Sequence, residues 1–187
     1  MNFGKINTAL WVFWLLYWII SARGNKKSLQ RPQPGWRLAV LIALLGFGVF
    51  IYKSPSPRLA MRILPEVKSM QLLGTTCCAA GVLFAIWARR ILGANWSAAP
   101  AIKENHELIT AGPYAFVRHP IYTGLLLALF GSVVLAHGRL RDLLLFFIAV
   151  ILLGLKSRVE EKLMLATFPD TYPDYRRRTK ALIPFLF

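Results

Sequence analysis

Two polar stretches in a mostly apolar chain hold the residue types that can do chemistry. Arg89–Pro120 contains the imidazole of His119, and Ser157–Phe187 contains the adjacent carboxylates of Glu160 and Glu161. Carboxylates hold cationic groups, and an imidazole can hydrogen-bond or move a proton near neutral pH. A bare membrane anchor needs no such set, so the two stretches together form the candidate site.

The spacing along the chain predicts that these groups meet. A turn near Gly138–Asp142 joins two apolar runs, and residues 119 and 160 are equally distant from its centre. Because two antiparallel helices rise equally per residue, His119 and Glu160 should lie at the same depth on one side of the membrane. Pro120 suits the first turn of the helix that follows, whose N-terminus would present free backbone N–H groups and a positive dipole end near His119.

Taken singly, these residues have plainer interpretations. His119 could cap the following helix, and Glu160 could pair with Lys156 one helical turn earlier. Four tyrosines could belong to the aromatic belt of a membrane interface: Tyr114, Tyr122, Tyr172 and Tyr175. The convergence of all these groups at one mouth favours a site.

Composition indicates which elements must position the site. The 187 residues are 56% hydrophobic and 17% charged, with a formal net charge of +15. Soluble domains average about 45–50% apolar and about 25% charged residues, so an integral membrane protein of one compact domain is favoured. Basic residues between apolar runs fit lipid headgroups better than nucleic acid. The adjacent Cys77 and Cys78 are interpreted as packing residues, and no Cys and His spacing predicts a metal site.

Apolar runs predict an all-α, polytopic membrane fold of about five transmembrane helices. The five runs are Thr8–Ala22, Trp36–Tyr52, Met70–Trp87, Ile121–His137 and Leu143–Leu155. Since a helix needs about 20 residues to cross the bilayer core, the short last run predicts a helix that continues past the membrane surface. Small residues at helical spacing predict close helix packing: Gly124, Ala128 and Ser132 in one row, and Gly74, Cys78 and Ala85 near another.

Basic residues predict the orientation of these helices. With the N-terminus outside and the C-terminus cytosolic, the inside loops hold sixteen Lys and Arg residues and the outside loops seven. This excess favours that orientation, and the compact chain suggests a prokaryotic inner (plasma) membrane. Ser54–Lys68, with three prolines, would be an outside loop with a short interfacial helix. Residues 1–90 would hold the first three helices, and residues 91–187 the linker, the last two helices and the C-terminal segment.

Both polar stretches also carry a recognisable motif. Residues 112–124 read GPYAFVRHPIYTG, close to the pattern GPYxxVRHPxYxG. The second motif is the Glu160-Glu161 pair followed by Phe168, Tyr172, Tyr175 and Ile183-Pro184. In order and spacing these residues resemble the isoprenylcysteine carboxyl methyltransferase family, which is similar to the phospholipid methyltransferases. The resemblance covers roughly His106–Phe187, and the first three helices carry no motif.

The resemblance implies a membrane methyltransferase that binds S-adenosyl-L-methionine in a cytosol-facing pocket of the C-terminal half. It also implies a lipophilic or lipid-modified acceptor that enters from the bilayer. Neither nucleic acid nor a metal ion is expected as a partner. By position, the implied cofactor-binding residues are His106, Glu107, Leu108, Ile109, Tyr114, Arg118, His119, Pro120, Ile121, Tyr122 and Glu160. A substrate-contacting arginine of eukaryotic members falls at Lys156, and Arg158 could take over its role.

These residue types fit methyl transfer, in which the protein mainly holds nucleophile, methyl carbon and sulfur in line. Glu160 would hold the cofactor's amino group, and the helix N-terminus with His119 would hold its carboxylate. The faces of Tyr114 and Tyr122 tolerate a sulfonium ion.

The acceptor decides which further residues act in catalysis. A carboxylate acceptor is already ionised and needs only an orienting cation, Arg158 or Lys156. An amine or thiol would need a general base such as Glu161 or His119. The identity of the acceptor and the oligomeric state stay open.

Two other functions remain as alternatives. Sterol-type reductases that use NADPH have a similar C-terminal architecture, but their motif has Asn and Asp where this chain has Pro120 and Leu125. A non-enzymatic membrane scaffold or transporter subunit would tolerate substitutions around Tyr114–Tyr122 and would bind no cofactor.

Overall fold

The computed structural model describes residues 2–26, 28–30, 35–97 and 102–183. Within residues 28–30, 35–41 and 102–103 it describes the backbone only. Three residues used in the sequence analysis lie outside the described part: Lys27 and Arg31 of the charge count, and Pro184 of the second motif.

Helices make up most of the described chain. The long helices are α1 (Phe3–Ser21), α2 (Gly35–Lys53), α4 (Lys68–Leu92), α5 (Pro120–Leu135) and α6 (Leu140–Thr167), and the short ones are α3 (Pro57–Ala60) and α7 (Tyr172–Arg178). Two short strands, β1 (Ser28–Gln30) and β2 (Ile102–Lys103), pair antiparallel with Ser28 opposite Lys103. The expected all-α class is confirmed, and the strand pair is a small addition that no sequence pattern indicated.

The helix bounds follow local chemistry at both ends of α5 and α6. Pro120 is the first residue of α5, where its missing N–H removes no helical hydrogen bond, and His119 is the N-cap residue. Gly138 has a φ of +58° in the turn before α6, a conformation that glycine adopts without strain. Helix α6 continues to Thr167, well beyond the apolar run that ends at Leu155. The predicted extension of this helix past its apolar run is confirmed.

Two helices within the described residues are long and apolar enough to cross a membrane. They cover Phe3–Gly24 and Lys68–Asn95, and two shorter apolar helices cover Ile42–Lys53 and Pro120–Leu135. No residue of α1 is buried within the protein, and large apolar side chains such as Phe13 and Ile20 are exposed. Such outward apolar faces suit contact with lipid chains.

Helices α4 and α5 pack with their backbones almost in contact. A Cβ atom added to Gly81 would lie 2.4 Å from the Gly124 carbonyl oxygen, and one on Gly131 would lie 2.4 Å from the Cys78 nitrogen. The two predicted small-residue rows therefore form one interface. Gly81 and Gly131 also belong to it, although neither was part of a predicted row. Cys78 is fully buried here as a free thiol, which confirms its interpretation as a packing residue.

Helix α1 is joined to this pair by polar and aromatic contacts. The Trp11 Nε1–H donates to Ser132 Oγ at 3.0 Å. Further along α1, the Trp14 and Trp18 rings stack at 4.8 Å, and the Trp18 and Trp96 rings lie 5.9 Å apart at nearly a right angle. The N-terminal helix therefore reaches a residue that follows α4.

Residues 54–67 form a loop that contains one short helix, α3. Leu64 N–H donates to the His137 carbonyl oxygen and Leu140 N–H donates to the Met61 carbonyl oxygen, both at 3.1 Å. The expected loop with a short helix is confirmed, and it lies against the turn between α5 and α6.

Candidate functional site

The α5–α6 hairpin brings together the two residues that sequence spacing placed at equal depth. His119 Nδ1 lies 3.4 Å from Glu160 Oε2. His119 immediately precedes α5 and Glu160 is five turns into α6, so the contact follows from the equal rise of two antiparallel helices. This prediction from spacing is confirmed.

Glu160 is held by several groups at once. The Tyr122 hydroxyl donates to Glu160 Oε1 at 2.6 Å and lies 2.8 Å from Oε2. Lys156 Nζ lies 3.9 Å from Oε1 and sits over the Tyr122 ring, 5.3 Å from its centroid. Charge-assisted hydrogen bonds of this length fix a carboxylate firmly, so Glu160 has a set orientation.

His119 lies between two carboxylates. Its Nε2 is 3.5 Å from Glu161 Oε1, without the geometry of a hydrogen bond, and its ring stacks on that of Tyr122 at 5.4 Å. Burial alone would lower the pKa of the imidazole, but Glu160 and Glu161 outweigh burial and raise that pKa above its usual value. His119 is therefore disposed to carry a positive charge between the two acids.

Glu161 is engaged on its other side by arginines. Arg118 Nε donates to Glu161 Oε1 at 2.7 Å, and Arg176 Nε lies 3.6 Å from Oε2. Burial would raise the pKa of this carboxyl, but His119 and Arg118 outweigh it and lower the pKa to about 2. Glu161 is thus an ionised partner of cations, and it is not among the residues that line the neighbouring pocket.

The C-terminal segment covers the start of α5. Backbone N–H groups of Arg118 and His119 donate to the carbonyl oxygens of Lys180 and Ala181 at 2.8 and 3.0 Å. The Arg118 guanidinium also donates to the carbonyl oxygens of Arg176 and Thr179. The segment after α7 is therefore fastened to the residues that precede α5.

The expectation that this helix N-terminus presents free N–H groups is largely wrong. The N–H groups of Tyr122 and Thr123 both donate to the His119 carbonyl oxygen, at 2.9 and 3.1 Å. The tight first turn, begun by Pro120, satisfies these donors within the chain. The start of α5 is thus a poor place to assign a ligand carboxylate.

A pocket opens beside Glu160 and encloses about 850 Å³ of non-atom space, part of which is open solvent. Ten of the eleven expected cofactor-binding residues line it: His106, Glu107, Leu108, Ile109, Tyr114, Arg118, His119, Ile121, Tyr122 and Glu160. The eleventh, Pro120, is fully buried and is not among the lining residues.

Eight lining residues were not among the expected ones: Leu92, Asn95, Trp96, Ser97, Leu163, Met164, Tyr172 and Tyr175. Leu163 and Met164 lie three and four residues after Glu160, so helical periodicity could have placed them on its face of α6. The irregular segment that holds Trp96 offered no such signal.

The expected acceptor-orienting residues are placed differently from one another. Lys156 adjoins Glu160 and Tyr122 at the pocket, although it is not one of the lining residues. Arg158 is exposed and is not among them either. The structure therefore brings Lys156, and not Arg158, to the cluster around Glu160.

Two tyrosines form part of the pocket wall and were candidates for an interfacial belt. The Tyr175 hydroxyl donates to the Tyr114 carbonyl oxygen at 2.7 Å, and both residues are buried. Burial raises the pKa of Tyr175 to about 12 and also raises the pKa of Tyr114. Both hydroxyls are thus protonated at neutral pH and act as hydrogen-bonding groups.

Comparisons with known proteins agree on one family. Residues 48–166 match the model of the isoprenylcysteine carboxyl methyltransferase (ICMT) family. Protein-S-isoprenylcysteine O-methyltransferase of Schizosaccharomyces pombe is 28% identical over 202 residues, covering 99% of this chain and 84% of the relative. Methanethiol S-methyltransferase 2 of Bradyrhizobium diazoefficiens is 42% identical over 77 residues, covering 40% of this chain and 27% of that protein.

A solved structure supports the same fold. The eukaryotic intramembrane Ras methyltransferase ICMT superposes with a TM-score of 0.57 at 21% identity, covering 84% of this chain and 55% of that chain. This chain thus spans about half the length of the solved protein. On the family match and these relatives, the chain is a membrane methyltransferase and belongs to the isoprenylcysteine carboxyl methyltransferase family.

Proposed function

We propose that this protein is an integral membrane methyltransferase that uses S-adenosyl-L-methionine and methylates a lipophilic acceptor. The observation that carries the proposal is the fixed carboxylate of Glu160 in the pocket wall, held by Tyr122 at 2.6 Å and faced by His119 at 3.4 Å. The pocket lies within residues 91–187, which we propose as the catalytic half.

The residues around the pocket fit this cofactor. A preoriented carboxylate suits an α-ammonium group, and the faces of Tyr114 and Tyr122 suit a sulfonium ion. His106 through Ile109 add one more wall, with backbone groups and apolar side chains beside a charged one. The chemistry of this donor set matches a ligand that is cationic at one part and aromatic at another.

When bound, S-adenosyl-L-methionine supplies a methyl group on a positively charged sulfur. The protein would act mainly by positioning, which alone can contribute several kcal/mol to a displacement. Glu160, held by its hydrogen bonds from Tyr122, would bind and orient the ammonium group of the ligand. His119 would keep Glu160 and Glu161 in place. Tyr172 and Tyr175 add aromatic rings to the pocket wall.

The groups around Glu160 favour an acceptor that is already ionised. His119 lies between two carboxylates, and Glu161 is bound to Arg118 at 2.7 Å. Neither group is well placed to accept a further proton, so a carboxylate acceptor oriented by Lys156 fits better than an amine that must lose one. The name of the Schizosaccharomyces pombe relative agrees with a lipid-modified carboxylate.

A thiol acceptor is the second candidate. It is favoured by the 42% identity with methanethiol S-methyltransferase 2 over 77 residues. An NADPH-dependent reductase and a non-enzymatic scaffold are not supported, since the family and the named relatives are methyltransferases.

We further propose that all five long helices cross the membrane, with the N-terminus outside and the C-terminus cytosolic, in a prokaryotic inner membrane. Support comes from the excess of Lys and Arg in the proposed inside loops. The pocket, at the N-terminal end of α5, would then open to the cytosol, where the soluble cofactor is available.

The first experiment measures binding of S-adenosylhomocysteine to the purified protein in detergent by calorimetry. Glu160→Gln should weaken binding roughly ten- to hundredfold, since a hydrogen bond to a charged group contributes about 1.5–3 kcal/mol. His119→Asn should weaken it as well. Glu66→Gln is the control and should bind as the wild type does, because Glu66 lies in the loop before α4, 3.5 Å from His137 beyond the other end of α5. Absence of binding to the wild type, or full affinity in both site variants, would contradict the proposal.

The second experiment identifies the acceptor. Transfer of a tritiated methyl group is measured into farnesylated thiol acids, into methanethiol and into membrane lipid extract. Methylation of the farnesylated acid supports the carboxylate, whereas a labelled methyl thioether from methanethiol supports the second candidate.

A further inference from the structure

Trp96 lines the pocket but was assigned no role by any motif. It follows the single 3-10 turn Gly93–Asn95 that ends α4. Two other residues contact its indole: the Arg89 guanidinium lies over the ring, 4.8 Å from the centroid, and the Trp18 ring lies 5.9 Å away at nearly a right angle. Arg89 and Trp18 therefore hold the indole, which also forms part of the pocket wall.

Arg89 is an unusual support for an aromatic ring. It is only 3% exposed. Its guanidinium donates to the carbonyl oxygens of Gly93 and Ser21 at 2.6 and 2.8 Å and to Asn25 Oδ1 at 2.8 Å. Among the described residues no carboxylate lies within ion-pair distance of it. Within the described part of the chain, its charge is thus faced by neutral oxygens and by the indole of Trp96.

This arrangement binds Trp96 to three separate parts of the chain. Ser21 and Asn25 belong to the end of α1 and the turn after it, whereas Gly93 ends α4. A large apolar side chain that only filled space would not need such a framework. A rigid indole in a pocket wall is instead suited to stacking on another planar ring, as aromatic side chains do on nucleic acid bases.

We infer that Trp96, held by Arg89, is the stacking surface for the planar heterocycle of the bound ligand. This inference rests on the proposed function, in which the heterocycle is the adenine ring of the cofactor. It divides recognition between two regions: Glu160 binds the charged amino-acid part, and Trp96 binds the base. It also gives the N-terminal helices a role, because α1 helps to position the indole.

Two ligands separate the two parts of this recognition. S-adenosylhomocysteine carries both the adenine and the amino-acid group, whereas 5′-methylthioadenosine carries only the adenine. Affinities are measured by displacement of tritiated S-adenosylhomocysteine from the purified protein. The variants are Trp96→Leu, Trp96→Phe and Glu160→Gln, and the control is Trp87→Leu, since Trp87 is an exposed residue of α4.

Trp96→Leu should weaken both ligands about tenfold, which corresponds to about 1.4 kcal/mol, and Trp96→Phe should restore most of the affinity. Glu160→Gln should weaken S-adenosylhomocysteine and leave 5′-methylthioadenosine nearly unchanged. Wild-type affinity in Trp96→Leu, or a loss in Trp96→Phe as large as in Trp96→Leu, would overturn the inference. If the wild type binds neither ligand, the proposed function itself fails, so the two failures are distinguishable.

Discussion

Helix α5 meets α4 along one side and α6 along another, and the two contacts differ in kind. Against α4 the contact is made by glycine, alanine and cysteine, with helix backbones close enough that Gly81 has no room for a methyl group. Against α6 the described contacts include the charged cluster of His119, Glu160 and Glu161 at one end. The contact with α4 holds α5 rigidly, and the contact with α6 brings together the polar side chains of the candidate site.

These two kinds of contact explain how a largely apolar protein can hold a polar site. Hydrophobic burial does not drive helix association in lipid, so close van der Waals packing must do it. The α4–α5 pair supplies that packing and fixes the start of α5. Helix α6 and the C-terminal segment then complete the charged cluster.

Separating α4 from α5 should have the strongest consequence. Gly81→Val places a side chain where even a Cβ would be 2.4 Å from Ala128 N, so the helices must separate. We expect loss of the folded, monodisperse protein on size-exclusion chromatography in detergent. Gly46→Val is the control, because a Cβ at Gly46 meets nothing within 4 Å. Normal folding of Gly81→Val would show that the fold does not depend on close packing of α4 against α5.

The next effect comes from the charged contact. Glu161→Gln removes a carboxylate that is 11% exposed and bound to Arg118, and the loss of one partner of a buried pair costs about 3 kcal/mol. The midpoint of thermal unfolding should fall by roughly 6–12 °C. Glu66→Gln, whose carboxylate pairs with Arg62 on the exposed surface, should shift it by roughly 2 °C or less. Equal shifts in the two variants would remove the distinction between site and surface.

The same carboxylate predicts how stability depends on pH. Folding lowers the pKa of Glu161 from 4.5 to about 2, so its contribution is complete above pH 4.5 and is lost as the pH falls towards 2. The unfolding midpoint of the wild type should decrease over that window. Glu161→Gln should show a flatter profile, and an unchanged slope in the variant would assign the acid sensitivity to another group.

Sequence periodicity predicted most of the α5–α6 hairpin but little of the pocket wall. His119 and Glu160 could be paired because a helix rises by a fixed amount per residue. The continuation of α6 beyond Leu155 followed from the shortness of its apolar run. Both inferences needed only regular geometry, which the sequence carries directly.

The irregular parts could not be predicted in the same way. Trp96 enters the pocket because the chain turns after Gly93, whose φ is +55°, and the direction of such a turn is set by distant contacts such as those of Arg89. The free N–H groups expected at the start of α5 failed partly for a similar reason. Besides the tight first turn, Lys180 and Ala181 from the distant C-terminal segment accept the N–H groups of Arg118 and His119 just before the helix.

The smallest expected effect tests how the C-terminal segment joins the pocket. Tyr175→Phe removes one buried hydrogen bond to the Tyr114 carbonyl oxygen, which contributes about 1 kcal/mol, so the unfolding midpoint should fall by roughly 2–4 °C. Affinity for S-adenosylhomocysteine should fall only slightly, because Phe keeps the ring in the wall. Tyr52→Phe, at an exposed position on α2, should change neither. A large loss of affinity without loss of stability would instead place the Tyr175 hydroxyl in direct contact with the ligand. Helix α7 would then contribute a binding residue to the site at the N-terminal end of α5.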